Sequence, residues 1–237
     1  MHFSGMHTTS LLDYPGKICI TLFVQGCNLR CPYCHNSSLV GQQGPEQPIT
    51  EGVVWDLLQK RAGLIDGVCI SGGEPLLHRE LSRFIQQVRS LGYKVKLDTN
   101  GTMPQRLEPL LTADLLDYVA VDLKAPLQKY GLATGGWDQP GLVLESIRLL
   151  RESSVPYEVR TTVVPGLLDA TDLVCMAQQL TKSEHYVLQQ FRPSPTILDS
   201  CFQKIKPYAA GYLQKLQELV SPYVRQASLR GVALESR

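Results

Sequence analysis

Three cysteines, Cys27, Cys31 and Cys34, lie within eight positions of the segment GCNLRCPYCHN, with the spacing C-x3-C-x2-C. A structural zinc site needs four ligands and normally two pairs, so it would have to recruit His35 or a distant cysteine. A C-x-x-C redox motif uses the last two cysteines and leaves Cys27 without a role. A four-iron cluster held by three thiolates keeps one iron with a vacant coordination position. We therefore favour an iron–sulfur cluster, with zinc and thiol redox chemistry as alternatives.

Composition limits the partners and the compartment. The chain has 237 residues and a formal net charge of +1, with 43% hydrophobic and 19% charged residues. These values are typical of a globular protein, and without a basic or acidic excess we expect no nucleic acid partner. The sequence shows no secretion signal and no apolar run of about 20 residues, so we expect a cytoplasmic protein without membrane contact. An odd number of cysteines, seven, then favours reduced thiols or metal ligation.

Hydrophobic periodicity predicts six strands that alternate with helices. The strands are expected at 17–24, 67–71, 94–98, 118–122, 157–164 and 186–191, and the helices at 50–62, 79–91, 104–114, 141–153, 170–182 and 207–221. Strands that read as continuous apolar runs indicate parallel pairing with both faces covered. We predict an α/β fold, a partial (β/α)6 barrel with helices outside, and keep a doubly wound sheet as the alternative.

The same elements predict a single domain over residues 1–237. It would consist of an N-terminal extension (1–16), the barrel core (17–195) and a C-terminal helical segment (196–237). No internal repeat and no linker divides the chain.

Polar or glycine-rich clusters follow the predicted strands. They are SGGEP (71–75), DTNG (98–101), DLK (122–124), VVPG (163–166) and QQFRP (189–193), and the cysteine segment follows the first strand. In parallel βα architectures the carboxyl ends of the strands meet at one face, where reactive groups gather. The sequence therefore predicts one large site.

The cysteine spacing, with Tyr33 before the last cysteine, and the later Gly72-Gly73-Glu74-Pro75 together resemble the radical S-adenosylmethionine (SAM) superfamily. The resemblance implies a four-iron–four-sulfur ([4Fe-4S]) cluster on the three cysteines, whose open iron binds the amino and carboxylate groups of SAM. It places Gly72, Gly73 and Glu74 at the SAM amino group and Tyr33 near the adenine. Glycine lets backbone approach a ligand closely, and a carboxylate suits an ammonium group.

Further segments resemble the activating enzymes of glycyl-radical enzymes, and among these the anaerobic ribonucleoside-triphosphate reductase activating proteins. The segments are LLDYPGK, ISGGEPLL, LDTNG, VAVDLKAP, TGG (134–136) and VRTTVVPG. The resemblance implies that the SAM pocket includes Asp98, Asn100, Asp122, Lys124 and Arg160.

Two details of the resemblance concern the edges of that pocket. A monovalent cation is expected near Asp98, Thr99 and Asp122, as in a related activase. Other activases have a histidine near the end of strand six, whereas this chain offers Gln190 or Arg192, which leaves the ribose contact open.

By this resemblance, one-electron reduction of SAM would release methionine and a 5′-deoxyadenosyl radical that removes the α-hydrogen of a glycine on a large partner. The chain would be a radical SAM oxidoreductase, with anaerobic ribonucleoside-triphosphate reductase as partner and flavodoxin or ferredoxin as electron donor. The glycine-rich segment 128–141 would fold over an entering chain. The alternatives are a radical SAM enzyme acting on a small molecule, such as a deazapurine synthase, and a non-catalytic electron carrier or zinc protein.

Overall fold

A nine-stranded sheet organises residues 1–41, 43–180 and 185–232, which the computed structural model describes. The strands are β1 (His2–Ser10), β2 (Cys19–Val24), β3 (Ile49–Thr50), β4 (Gly67–Gly72), β5 (Lys94–Thr99), β6 (Tyr118–Asp122), β7 (Tyr157–Val163), β8 (His185–Gln190) and β9 (Gln226–Arg230). The α-helices are α1 (Glu51–Lys60), α2 (Leu81–Ser90), α3 (Pro104–Thr112), α4 (Tyr130–Thr134), α5 (Gly141–Glu152), α6 (Ala170–Gln179) and α7 (Ala210–Val220).

The strand order is β3-β1-β2-β4-β5-β6-β7-β8-β9. Neighbouring strands from β2 to β9 are parallel, whereas β1 pairs antiparallel with both β2 and β3. Within the described ranges no pairing joins β3 to β9, so the sheet forms an open, partial barrel. The predicted α/β partial barrel is confirmed, with the six predicted strands present as β2 and β4 to β8.

Two strands lie outside the predicted barrel core. β1 occupies most of the segment expected to be an N-terminal extension, and β9 lies in the segment 196–237 that the sequence predicts to be helical. β9 is a further parallel strand, paired with β8. Its sequence, QASLR, gives little strand signal because it has few apolar residues, which suits a partly exposed edge strand. Residues 233–237, and the last two residues of the predicted helix 170–182, lie outside the described residues.

Alternating side chains give the sheet two different faces. On β4, Val68 and Ile70 are fully buried in a hydrophobic core that includes Val54 of α1 and Phe84 of α2. Ser71, the residue after Ile70, lies on the concave face, where polar and charged side chains predominate. The parallel pairing that the apolar runs predicted is confirmed, although the concave face carries polar side chains.

The predicted helices correspond to α1, α2, α3, α5, α6 and α7, with ends shifted by a few residues. α6 begins with a capping box, in which the side chains of Asp169 and Asp172 accept hydrogen bonds from each other's backbone N–H groups. None of the described helices is long and apolar enough to cross a membrane.

Candidate functional site

A cavity of about 700 Å³ lies on the concave face of the sheet. Most of the strand residues that line it alternate along their strands with residues of the outer core: Phe23, Ser71, Asp98, Asp122, Arg160, Thr162, Gln189 and Arg230. The last residues of β4, β5 and β8, which are Gly72, Thr99 and Gln190, line it as well. The loops after β2, β4 and β5 contribute further residues at the carboxyl ends of these strands. The structure thus brings most of the predicted clusters together around one cavity.

Cys27, Cys31 and Cys34 all line this cavity as free thiols. Burial raises the pKa of each thiol, to about 12 for Cys31, and the charge of Lys124 partly offsets this effect. Each thiol must therefore lose a proton when it binds a metal. Within the described ranges, no three ligating side chains are arranged to hold a single metal ion. The cysteines of an iron–sulfur cluster bind different iron atoms, so they surround the space that the cluster fills and do not converge on one metal ion.

Backbone contacts fix the cysteine loop to the loop after β4. The Glu74 N–H donates to the Gly26 carbonyl at 2.8 Å, and the Gly73 N–H donates to the Val24 carbonyl at 3.0 Å. A Cβ on Gly73 would lie 1.9 Å from the Gly26 carbonyl oxygen. Gly72 and Gly73 do line the cavity, as predicted, but Gly73 is also required by the packing of the cysteine loop itself.

The segment 128–141 supports the other side of the cysteine loop. The Arg30 N–H donates to the Thr134 carbonyl at 2.9 Å. Gly135 has a φ of +74°, and a Cβ there would lie 2.4 Å from the Arg30 carbonyl oxygen. The segment contains α4, and none of its residues lines the cavity. In this structure the segment packs against the cysteine loop, and its folding over an entering chain stays a prediction.

Glu74 does not share the cavity lining with its two preceding glycines. Its carboxylate is fully buried and accepts hydrogen bonds from the Thr99 hydroxyl at 2.8 Å, the Asn100 N–H at 2.7 Å and the Leu76 N–H at 3.0 Å. Burial raises the pKa of Glu74 to about 7, although these donors oppose the shift. The contact between this carboxylate and the SAM amino group stays a prediction, and three donors of the protein already bind the carboxylate.

Five charged side chains form a row along the concave face: Lys96, Asp98, Arg160, Asp122 and Lys124. Arg160 connects the two carboxylates, at 3.1 Å to Asp98 and 2.9 Å to Asp122. Lys96 pairs with Asp98, and Lys124 pairs with Asp122 at 2.9 Å. Burial opposes ionisation, but Arg160 and the lysines outweigh it and lower the pKa of both carboxylates. The row is therefore ionised and carries three positive and two negative charges.

At Asp98, Thr99 and Asp122, where a monovalent cation is expected, the structure shows protein partners. Both carboxylates are paired with cationic side chains, and the Thr99 hydroxyl donates to Glu74. The cation stays a prediction.

Two polar atoms at the cavity, the Tyr33 hydroxyl and the Gln190 Oε1, are buried without a hydrogen-bond partner among the described residues. Gln190 donates its Nε2 to the Tyr208 carbonyl at 2.9 Å, so its oxygen is the free end. Arg192 also lines the cavity and donates to the Gly231 carbonyl at 3.0 Å. Because buried polar atoms normally have partners, these positions fit a polar ligand such as a nucleoside.

Sequence analysis missed one buried ion pair beside the cavity. Glu158 is fully buried on β7 and accepts two hydrogen bonds from Arg230 of β9, at 2.8 Å and 2.9 Å. Glu158 could have been found, because it lies two residues before Arg160 and thus on the same face of a predicted strand. Arg230 could not have been found in this way, because the sequence of β9 gives little strand signal.

The fold and the site define an α/β protein in which three thiols and a set of polar side chains surround one cavity. Residues 21–173 match the family model described as the Radical SAM superfamily. The chain belongs to this superfamily, and the superfamily implies a [4Fe-4S] cluster and SAM. The residues present fit these groups, since the three cysteines share a cavity with unpartnered polar atoms.

Individual proteins support this membership. The chain is 32% identical over 234 residues to a Methanocaldococcus jannaschii protein whose name proposes that it is a glycyl-radical enzyme activating enzyme, covering 97% of this chain and 95% of that protein. It is 31% identical over 167 residues to the pyruvate formate-lyase 1-activating enzyme of Escherichia coli K12, covering 68% of this chain and 67% of that enzyme. A domain of the pyruvate-formate lyase-activating enzyme from Bacteroides vulgatus shares the fold, with a TM-score of 0.56, 20% identity, and coverage of 70% of this chain and 99% of that domain.

We predict that Glu74→Gln lowers stability and changes its pH dependence. The glutamine Nε2 would meet a backbone donor, at a cost of about 1–3 kcal/mol. Because the pKa of Glu74 is raised in the folded protein, wild type should lose stability as the pH rises from about 4.5 to about 7. The variant should lack this part of the decline. Urea unfolding at a series of pH values measures both effects, and identical pH profiles would contradict the assignment.

We predict that Gly135→Ala impairs cluster binding, whereas Gly136→Ala serves as the matched control. Both glycines have positive φ, at +74° and +100°, so both variants have a backbone cost of about 1–2 kcal/mol. Only the Cβ on Gly135 would push against Arg30. After anaerobic reconstitution, iron and sulfide per chain should be lower in Gly135→Ala. Equal contents in the two variants would show that this contact does not hold the cysteine loop.

Proposed function

We propose that this protein is a glycyl-radical enzyme activating enzyme. Its substrate is a glycine α-hydrogen on a large partner enzyme, and we propose anaerobic ribonucleoside-triphosphate reductase as that partner. Flavodoxin or ferredoxin supplies the electron. The observation that carries this proposal is a cysteine-lined cavity that extends across an open sheet, from the turn after β1 to the edge strand β9. The similarity along nearly the whole chain to a protein named for this role supports it.

The cavity is bordered by residues from near one edge of the sheet and from the other edge, since β1 is next to the edge strand β3 and β9 is itself an edge strand. Leu12 and Asp13 follow β1, while Arg230 and Gly231 lie at the end of β9, and all four line the cavity. A polypeptide loop that carries a glycine could pass between these edges, whereas a closed barrel would have no such side entrance. This opening favours a protein substrate over a small molecule.

In the proposed assignment, Cys27, Cys31 and Cys34 hold the cluster. The SAM pocket comprises Tyr33, Gly72, Gly73, Asn100, Asp98, Asp122, Lys124 and Arg160. When bound, the cluster and SAM supply one-electron reduction and removal of a hydrogen atom. The protein's part is to position the reactants and exclude water.

The charged row orients SAM within this pocket. Lys124 and Arg160 face the cavity as cations and suit the SAM carboxylate or ribose, and their pairing with Asp122 holds them in place. Tyr33 and Gln190 offer the adenosine their free polar atoms.

We predict that the anaerobically reconstituted protein, mixed with SAM, dithionite and an anaerobic ribonucleotide reductase, generates a glycyl radical on the reductase. Electron paramagnetic resonance detects this radical, and 5′-deoxyadenosine is measured in the same samples. The Cys34→Ala protein is the control and should yield neither product.

Other outcomes would select the alternative functions. One outcome would indicate a radical SAM enzyme that acts on a small molecule. In that case 5′-deoxyadenosine forms without a glycyl radical on any glycyl-radical enzyme of the same cell, and its amount rises when a small metabolite is added. Absence of SAM cleavage by protein with a full cluster would indicate an electron carrier.

An exposed leucine at the opening offers a contact for the partner. Leu12 is 85% exposed although its turn is fixed, since Ser10 Oγ accepts the N–H groups of Leu12 and Asp13 at 3.3 Å and 3.2 Å. Tyr14, two residues later, is 2% exposed and anchors the same turn in the protein. A single exposed leucine is common on protein surfaces. What favours a contact with the partner is that Leu12 lines the reaction cavity and is held there by a fixed turn.

We predict that Leu12→Ser weakens binding of the partner enzyme. Burial of a leucine contributes about 1.5–3 kcal/mol, so the partner concentration for half-maximal activation should rise about tenfold or more. Leu64→Ser is the matched control, because Leu64 is 65% exposed in the turn between α1 and β4 and does not line the cavity. Equal effects of the two substitutions would exclude Leu12 from the interface.

A further inference from the structure

Three side chains form a closed hydrogen-bonded ring beside Cys27. Asn100 donates its Nδ2 to the Asn28 Oδ1 at 2.9 Å, and Asn28 donates its Nδ2 to the Thr102 hydroxyl at 2.7 Å. The Thr102 hydroxyl in turn donates to the Asn100 Oδ1 at 2.7 Å. The ring joins the cysteine loop, through Asn28, to the turn that follows β5.

The ring determines which way the Asn100 amide points. The backbone N–H of Thr102 faces this amide at 3.0 Å and can only donate, so the atom it meets must be the oxygen. The amide nitrogen therefore faces the cysteine loop. One of its two N–H groups donates to the Asn28 Oδ1. The nitrogen lies 3.8 Å from the Cys27 Sγ, so the other N–H can donate to this sulfur.

Asn100 has little freedom to turn away from Cys27. It is 6% exposed, and its backbone N–H donates to the buried Glu74 carboxylate at 2.7 Å. On the opposite side of the turn, Ser146 of α5 donates its hydroxyl to the Gly101 carbonyl at 2.7 Å. The turn is thus held from the loop after β4 and from a helix, independently of the amide.

We propose that Asn100 is a positioning residue for the cluster, which donates its second amide N–H to the Cys27 thiolate and thereby raises the cluster's reduction potential. Asn100 also lines the proposed SAM pocket, and the ring directs its amide to a further contact, with Cys27. The inference rests on Cys27 as a cluster ligand, and it does not depend on which substrate or partner the enzyme serves.

The physical reason is the charge of the reduced cluster. One-electron reduction by an external donor makes the cluster more negative, and part of that charge resides on the cysteine sulfurs. An N–H dipole aimed at a sulfur stabilises the more negative state, so it favours reduction. The Leu29 N–H also donates to the Cys27 Sγ, at 3.4 Å. Because this donor belongs to the backbone, a substitution can remove only the Asn100 donor.

The test is an anaerobic redox titration of the reconstituted protein without SAM, followed by electron paramagnetic resonance. Asn100→Ala should make the potential more negative, so that reduction by a fixed mediator becomes severalfold less favourable; a tenfold change corresponds to about 59 mV for one electron. Ser146→Ala is the matched control, because it removes a hydrogen bond from the same turn without touching the amide. Its potential should equal that of wild type.

Iron content and circular dichroism accompany each titration. An unchanged potential in Asn100→Ala with a full cluster would overturn the proposal, as would an equal shift in Ser146→Ala. If Asn100→Ala fails to fold or to bind iron, Asn100→Leu replaces it, because leucine has nearly the shape of asparagine but no N–H donor. A negative shift of the potential in Asn100→Leu supports the proposal, and no shift overturns it.

Discussion

The arrangement of the site depends on close packing between the backbone of the cysteine loop and two glycines. A Cβ on Gly73 would meet the Gly26 carbonyl oxygen, and a Cβ on Gly135 would meet that of Arg30. Backbone atoms cannot move aside as the end of a flexible side chain can, so these contacts leave no room for any other residue. The cysteine loop has no regular secondary structure beyond a single 3₁₀ turn near its end, yet it is held between loops from two strands of the sheet. The sheet therefore sets where the thiols lie.

The concave face imposes a second constraint, because it buries charge where most folds bury apolar side chains. An isolated buried ion costs several kcal/mol, and the structure offsets this by alternating the signs of Lys96, Asp98, Arg160, Asp122 and Lys124. The row ends at Lys124, whose charge lowers the pKa of all three cysteine thiols against the effect of burial. Asp122 acts on the thiols in two opposed ways: it holds this lysine in place, and its own charge raises the pKa of Cys31 and Cys34.

The sequence was sufficient for the barrel strands, the main helices and the three cysteines, because hydrophobic periodicity and ligand spacing are local properties. It was insufficient for Glu74, since a motif identifies a carboxylate but not the donors that a neighbouring turn will direct at it. The contact of segment 128–141 with the cysteine loop was not foreseen for a related reason, because a glycine in the sequence does not show which backbone atoms will pack against it. β9 was missed because an edge strand does not need the apolar pattern that identifies a strand in sequence.

These corrections have a common physical basis. Segments whose residues were assigned separately to cofactor contacts are also bonded to each other: Glu74 accepts from Asn100, Asn100 contacts Cys27, and Gly73 packs against Gly26. Residues in one hydrogen-bonded network do not act additively, so a substitution in the loop after β4 or β5 changes the cysteine loop as well. Reduced SAM binding in such a variant is therefore no evidence of a direct contact. Only a variant that keeps its iron, its cluster potential and its fold while losing SAM affinity identifies a residue that touches the cofactor.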